Sequence, residues 1–347
     1  MTHQYCQLVL TVLLCSTFVN SDVYYISPDS HNCSASFCFT LTQFTSKALH
    51  HNISNNTSLI FQSGNYSLTT DLTFSDIDGL SLFSPSRVTW IVCDQFAKLS
   101  FFNVRMVQIR NLSFLGCEGN VKFAKDFITE DILFHGQNYS SSALVLIQTT
   151  AKIVNSTFRL NKNGKCIYSF PNEGCQARIG GAIFISQSNV SISNCMFVEN
   201  SANFGGAIAS ERRSAVVINS TMFVNNIASL GFISSSISVS ECKFRDSKGT
   251  VIYFRRSNVI IMRNEFSRSY GGKIFEALIQ SSITDIGGIY QYNAAIFHIE
   301  DSSATFNHST FYANYIYDFH KGLNQALNSK LIPVSYTHLT LPTIYSV

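Results

Sequence analysis

The feature that most limits how this chain folds is a repeat. Residues 180–200 read GGAIFISQSNVSISNCMFVEN, and residues 205–226 read GGAIASERRSAVVINSTMFVNN. Aligning on the phenylalanine gives one column: Phe114, Phe158, Phe197, Phe223, Phe244, Phe266 and Phe311. The steps from Phe197 onward are 26, 21, 22 and 45 residues, and the last step hides a weak copy, ITDIGGIYQYN, with Ile289 near the expected position. A second column follows the same period: Gly180-Gly181, Gly205-Gly206, Gly231, Gly249, Gly271-Gly272 and then Ala294-Ala295. Two columns sharing one period mark a chain built by stacking one small unit.

The pattern inside the unit selects its structure. Apolar residues alternate before each phenylalanine, as Val190 and Ile192, Val216 and Ile218, Ile237 and Val239, and Val259 and Ile261. A period of two means strand rather than helix. The spacing of leucine-rich repeats is absent, and helical repeats need a 3.6-residue period and longer units. The remaining solution is an all-β chain forming a parallel β-helix solenoid, with one coil per repeat and coils about 4.8 Å apart. In such a coil Gly180, Gly181, Gly205 and Gly206 let the backbone turn a corner. Phe197, Phe223 and their equivalents stack inside. Asn200 and Asn226, with Asn161 and Asn314, are expected at a left-handed turn, with amides bonding the next coil.

GGAI alternating with FxxN resembles the repeats of the polymorphic outer-membrane protein type. That resemblance implies a single right-handed parallel β-helix of pectin-lyase-like architecture over residues 104–316. Phe244 and Phe266 lack the following Asn and so depart from the pattern. The head, VYYISPDSHNCSASFCFTLTQF followed by LIFQSGNYSL, resembles secreted right-handed β-helix proteins of early-branching animals. Phe39, Leu41, Phe44, Ala48 and Leu49 predict a short amphipathic capping helix over the first coil's open edge.

Residues 1–21 carry an apolar run, QLVLTVLLCSTFV, with small residues before Asp22, and read as an export signal. The run is shorter than the ~20 residues of a membrane span, and no later run approaches that length. The expected division is signal peptide 1–21, cap and first coils 22–103, repeats 104–333, and a tail 334–347. In that tail SYTHLTLPTIYSV abandons the repeat and resembles adaptor-derived, non-native sequence, so the natural C-terminus and any anchor are expected beyond it.

Export assigns the cysteines. Removal of the signal leaves an even number, with no C-x-x-C pair, which favours disulfides over metal. Cys93 and Cys117 are one coil apart, Cys166 and Cys175 bracket a loop, and Cys33 and Cys38 close a small one. Cys195 and Cys242 fall two coils apart, too far for a bond, and are expected as buried thiols. Among eleven N-x-S/T sequons, Asn52, Asn55, Asn56, Asn65 and Asn138 are the expected glycan acceptors. Asn138 is placed in an insertion between Gly119 and Ser142. The sequon residues Asn155, Asn219 and Asn307 belong to the repeat and are read as stacking positions.

Chemistry is sparse. Net charge is +3 with no Lys/Arg run, which argues against nucleic acid. No phosphate loop, nucleophile elbow or dinucleotide fingerprint occurs. The motifs of polygalacturonase-like enzymes are absent. The nearest carboxylate pair is Glu199 and Asp246, in one column two coils apart, near the ~6.5–9.5 Å of an inverting glycosidase. A solvated stripe with an Asp246–Arg268 contact is the simpler reading. Arg212-Arg213 and Arg255-Arg256 form a potential basic ridge. The sequence therefore predicts a secreted or cell-surface protein that is not an enzyme and needs no cofactor or metal. Its role is scaffolding, adhesion, or recognition of an extracellular glycan, matrix protein or cell-surface protein. The alternative is a polysaccharide-active hydrolase or lyase of the pectin-lyase-like fold.

Overall fold

The computed structural model of the chain describes residues 22–28, 37–50, 53–86, 88–94, 97–137, 141–163, 179–293, 297–312, 314, 324–327, 330–333 and 336–339. The alternating strands close into three parallel sheets of 11, 14 and 12 strands, forming a right-handed parallel β-solenoid. One coil shows the plan. Ile183–Ser186 lies in sheet I, Asn189–Ser193 in sheet II and Met196–Val198 in sheet III. Each strand pairs in parallel with its equivalents in the coils before and after.

The phenylalanine column is the interior of sheet III. Phe114, Phe134, Phe158, Phe197, Phe223, Phe244, Phe266, Tyr290 and Phe311 form an unbroken stack with centroids 4.6–5.4 Å apart. The coil spacing imposes this distance, and offset ring stacking accepts it. Two members escape sequence alignment. Phe134 has no N-x-T-F signature, and the sequence pattern places its coil in an insertion. Residues 118–135 instead form a regular coil of three strands. In the weak copy the column residue is Tyr290, while Ile289 is 46% exposed.

The asparagines form a ladder, as expected, but not at the left-handed position. Asn200 Nδ2 donates to Asn226 Oδ1 at 3.1 Å and to the Phe158 carbonyl at 2.9 Å, and Asn161 repeats the arrangement one coil earlier. The positive φ belongs to the preceding residue, Glu199 at 56° and Asn225 at 53°. Asn200 and Asn226 instead point inward, fully buried. A second ladder, absent from the sequence reading, lines the corner between sheets I and II. There Thr149 N–H donates to Ser188 Oγ, Ser188 N–H to Ser214 Oγ and Ser257 N–H to Ser281 Oγ, at 3.0–3.4 Å. Both ladders satisfy backbone donors that a sharp corner would otherwise bury unpaired.

Gly180 and Gly205 adopt φ of 72° and 61°, and a Cβ on Gly206 would strike the Ile227 carbonyl. The corner thus requires glycine, with Ala182 and Ala207 fully buried beside it. Gly231 does not belong to this column. It lies in sheet I opposite Ala209, with the Phe204 ring lying where its Cβ would be.

The capping helix α1 spans Leu41–His50. It opens with a reciprocal capping box: Gln43 N–H donates to Thr40 Oγ1, and Thr40 N–H donates to Gln43 Oε1. Phe44 packs on Tyr24 and Phe74, closing the first coil. Phe39 lies not in the helix but in the strand Cys38–Thr40. At the other end, Tyr336–Leu339 of the tail set apart as non-native pairs with Ser309–Tyr312, with a register shift.

Phe223→Ala, in the middle of the stack, is expected to lower unfolding stability by about 3–5 kcal/mol. Asn200→Ala, which leaves the Asn161 N–H unpaired, is expected to lose about 1–3 kcal/mol. Both are measured by urea denaturation.

Candidate functional site

The corner between sheets I and II turns in two residues at Gln148-Thr149 and Gln187-Ser188 and in three at Arg212-Arg213-Ser214, and the residue before its inward member is forced outward in the left-handed conformation. Gln148, Gln187 and Arg213 have φ of 50°, 51° and 62°. Their partners Thr149, Ser188 and Ser214 turn inward to form the hydroxyl ladder. The outcome is a groove of about 640 Å3 along the solenoid axis, lined from successive coils by Lys125, Gln148, Thr150, Gln187, Asn189 and Arg213. No carboxylate is among its lining residues. It opens onto sheet II, whose outward residues carry no charge in the strands from Asn189–Ser193 to Ser303–Asn307. Arg213 belongs to the basic ridge read from sequence, whereas Arg212 is turned to Glu211 at 2.9 Å. The Gln/Ser and Arg/Ser pairs one coil apart were the signal available for the remainder.

Glu199 and Asp246 stand in the left-handed column after sheet III, with Asn225 between them. Asp246 accepts a bidentate pair of bonds from Arg268, each at 2.8 Å. Glu199 lies 3.7 Å from Arg159 Nε. Each carboxylate thus has a cationic partner in an adjacent coil.

Cys93 and Cys117 are bonded, with Cα atoms 4.9 Å apart, as one coil of separation predicts. Cys38 is also disulfide-bonded, while Cys33, Cys166 and Cys175 lie outside the described residues. Cys195 and Cys242 are buried free thiols, held apart by the coil of Thr221, whose hydroxyl accepts the Cys195 N–H. Burial pushes their pKa values up to about 11 and about 12, so neither is a thiolate nucleophile at neutral pH.

The sequons divide differently from the sequence reading. Asn52 and Asn138 lie outside the described residues, Asn55 and Asn65 are exposed, and Asn56 is half-buried. Asn155 is not an inward stacking residue: it is exposed at φ 50° on the corner between sheets II and III. The inward position belongs to its neighbour Ser156.

The weak copy conceals a polar cluster inside the core. Asp285 occupies an inward position of sheet II between Ile261 and Phe306 and is fully buried. Ser309 Oγ donates to it at 2.5 Å. The next corner carries Gly288, where a Cβ would lie 2.6 Å from the carboxylate. The buried Tyr290 hydroxyl also faces it. Asp for Ile, Gly for a larger corner residue and Tyr for Phe are therefore one coupled change. Burial raises the Asp285 pKa to about 6, against the opposing pull of Ser309 and Tyr290.

Among the described residues no helix is long and apolar enough to cross a membrane. No protein-family model matches the chain, and no curated protein matches it either. Solved structures do. The catalytic domain of Agl-KA matches at 12% identity and TM-score 0.49, over 84% of this chain and 64% of that one. The alginate lyase AlyF-OU02, solved in complex with G6, matches at 10% identity and TM-score 0.47, over 92% of this chain and 85% of the lyase. The catalytic domain of a GH87 α-1,3-glucanase in complex with nigerose matches at 10% and TM-score 0.40, over 90% and 68%. These likenesses are of fold alone, the parallel β-helix. The expectation that the chain is not an enzyme is corrected only this far: solved structures of this fold include an alginate lyase and a glucanase catalytic domain, so the fold does not exclude catalysis.

Asp285 yields a pH prediction. Its folded-state pKa of about 6 exceeds the ordinary 3.8, so its contribution favours the fold most below that lower value. The contribution is lost as pH rises through about 6, a swing of about 3 kcal/mol. Asp285→Asn is expected to remove this component from stability measured by chemical denaturation across that range.

Proposed function

We propose that this chain is a secreted, polysaccharide-directed β-helix that holds an extended glycan along the groove between sheets I and II. The observation that carries this reading is the groove itself. It is an open surface groove lined from four successive coils by Lys125, Gln148 and Thr150, Gln187 and Asn189, and Arg213, at a coil spacing comparable to the length of one sugar unit. Extended ligands suit the long faces of solenoids. Lys125 and Arg213, with no carboxylate in the lining, favour a chain bearing carboxylate or sulfate groups. The GGAI and FxxN repeats, resembling the polymorphic outer-membrane protein type, fit a protein displayed outside the cell. The Cys93–Cys117 disulfide fits the same compartment.

Cleavage of the bound chain is the second reading. Hydrolysis needs two carboxylates facing across the glycosidic bond, and the groove offers none. Lys125 and Arg213 are instead cations placed to offset the charge of a uronate carboxyl, which elimination beside that carboxyl requires. The residues favour elimination over hydrolysis if the glycan is cut.

Titration of the purified protein with a uronate or sulfated oligosaccharide, beside a neutral glucan of equal length, tests the reading. Stronger binding of the acidic chain is expected, weakening with salt. The double variant Lys125→Ala/Arg213→Ala is expected to reduce affinity at least about tenfold, equivalent to about 1.4 kcal/mol. Equal, salt-independent binding in wild type and variant would sink it. Product analysis on the same samples separates holding from cleaving, since an unsaturated uronate end appears only after elimination.

A further inference from the structure

The groove contains a sequon. Asn189 heads Asn-Val-Ser, begins the sheet II strand Asn189–Ser193 and lines the channel between Lys125 and Arg213. An acceptor asparagine needs an accessible amide nitrogen that the fold does not use. At several other sequons the side-chain amide is engaged or buried. Asn111 Nδ2 donates to the Ser84 carbonyl at 3.2 Å. The amide oxygens of Asn219 and Asn55 each accept a bond, from Ser240 and from the Asp78 N–H. Asn307 Oδ1 is buried. Asn189, by contrast, is exposed and makes no side-chain hydrogen bond among the described residues. Its neighbours across the ladder are Thr150 and Ala215, short side chains that leave room above the sheet. Ser191, the third residue of the sequon, faces outward from the same strand.

We propose that Asn189 carries an N-linked glycan and that this glycan lies in the groove between sheets I and II, covering it as a tethered occupant. The inference rests on the reading of that groove as a glycan site and adds a control on access to it. In the attachment step, Asn189 Nδ2 displaces the diphosphate from the anomeric carbon of a lipid-diphosphate-linked oligosaccharide. The carbon–oxygen bond to phosphate breaks, a carbon–nitrogen bond forms, the amide gives up one proton, and the lipid diphosphate leaves. The strand delivers the sugar to the channel floor, where Gln148, Gln187 and Thr150 present the amide and hydroxyl groups that bind a free glycan. The groove is open to an external chain only on molecules whose Asn189 is bare.

The test uses the full chain expressed in a glycosylating eukaryotic cell. Enzymatic removal of N-glycans in heavy-oxygen water, followed by peptide mass spectrometry, is expected to show labelled aspartate at position 189. An unlabelled Asn189 overturns the attachment, whatever is found at Asn65 or Asn155. Occupancy of the groove is read separately through acylation of Lys125 by an amine-reactive ester. Acylation is expected to be several-fold slower in wild type than in Asn189→Gln, Ser191→Ala, or folded wild type stripped of glycan. Equal reactivity in all four, with Asn189 modified, overturns the seating of the glycan in the groove. Stripping is done on protein that has already folded and changes only the acceptor asparagines to aspartate, so misfolding of a variant does not blur the result. Because acylation needs no added ligand, it stands apart from the polysaccharide titration: failure of the stripped protein to bind any oligosaccharide sinks the binding function and leaves the acylation result intact.

Discussion

The parallel hydrogen-bond ladder from one coil to the next is the constraint on which everything else depends. It sets the axial rise, and the rise fixes which side chains meet. The rings from Phe114 to Phe311 stack at 4.6–5.4 Å because the backbone holds them there. The same spacing places Cys93 and Cys117 within bonding reach and keeps Cys195 and Cys242 apart. A parallel ladder leaves an open edge at its start, and α1 closes that edge with Phe44.

Corners are where such a ladder is at risk, since a sharp bend turns backbone donors into a dry interior. Three chemistries solve that problem here. Asparagine amides bridge coils after sheet III, as at Asn161 and Asn200. Hydroxyls do so between sheets I and II, as at Ser188 and Ser257. A mixed column of Ser156, Thr221 and Asn264 serves between sheets II and III. Only the first is built uniformly from a side chain rare enough in strands to stand out in the sequence. Each inward residue follows a left-handed one whose side chain must face solvent, so the ladder that secures the corner also displays Gln148, Gln187 and Arg213 along the groove. Structure and binding surface are two consequences of one turn.

The coil around Asp285 makes a related point about degeneracy. By pattern it is the poorest repeat, and its sequence aligns one residue off, on Ile289. In space it is as regular as its neighbours, because Asp285, Gly288 and Tyr290 change together around one buried carboxylate. A weak repeat in a solenoid can thus record a local exchange of packing for hydrogen bonding rather than loss of the coil.

The sequence by itself determined the solenoid, the strand alternation, the phenylalanine interior, the glycine corner at Gly205-Gly206, the Asn ladder and the Cys93–Cys117 bond. Each repeats inside a narrow core, where burial and the fixed rise permit few residue types, and so each leaves a periodic trace. Only the tertiary structure decided that Phe134 completes a coil, that Gly231 makes room for Phe204, that Asn155 faces solvent, and that Lys125, Gln148, Asn189 and Arg213 share one groove. These residues lie on the outside, where the ladder fixes position but leaves residue type free. They are drawn from coils of unequal length, so no constant spacing joins them until the hydrogen bonds between coils bring them into line.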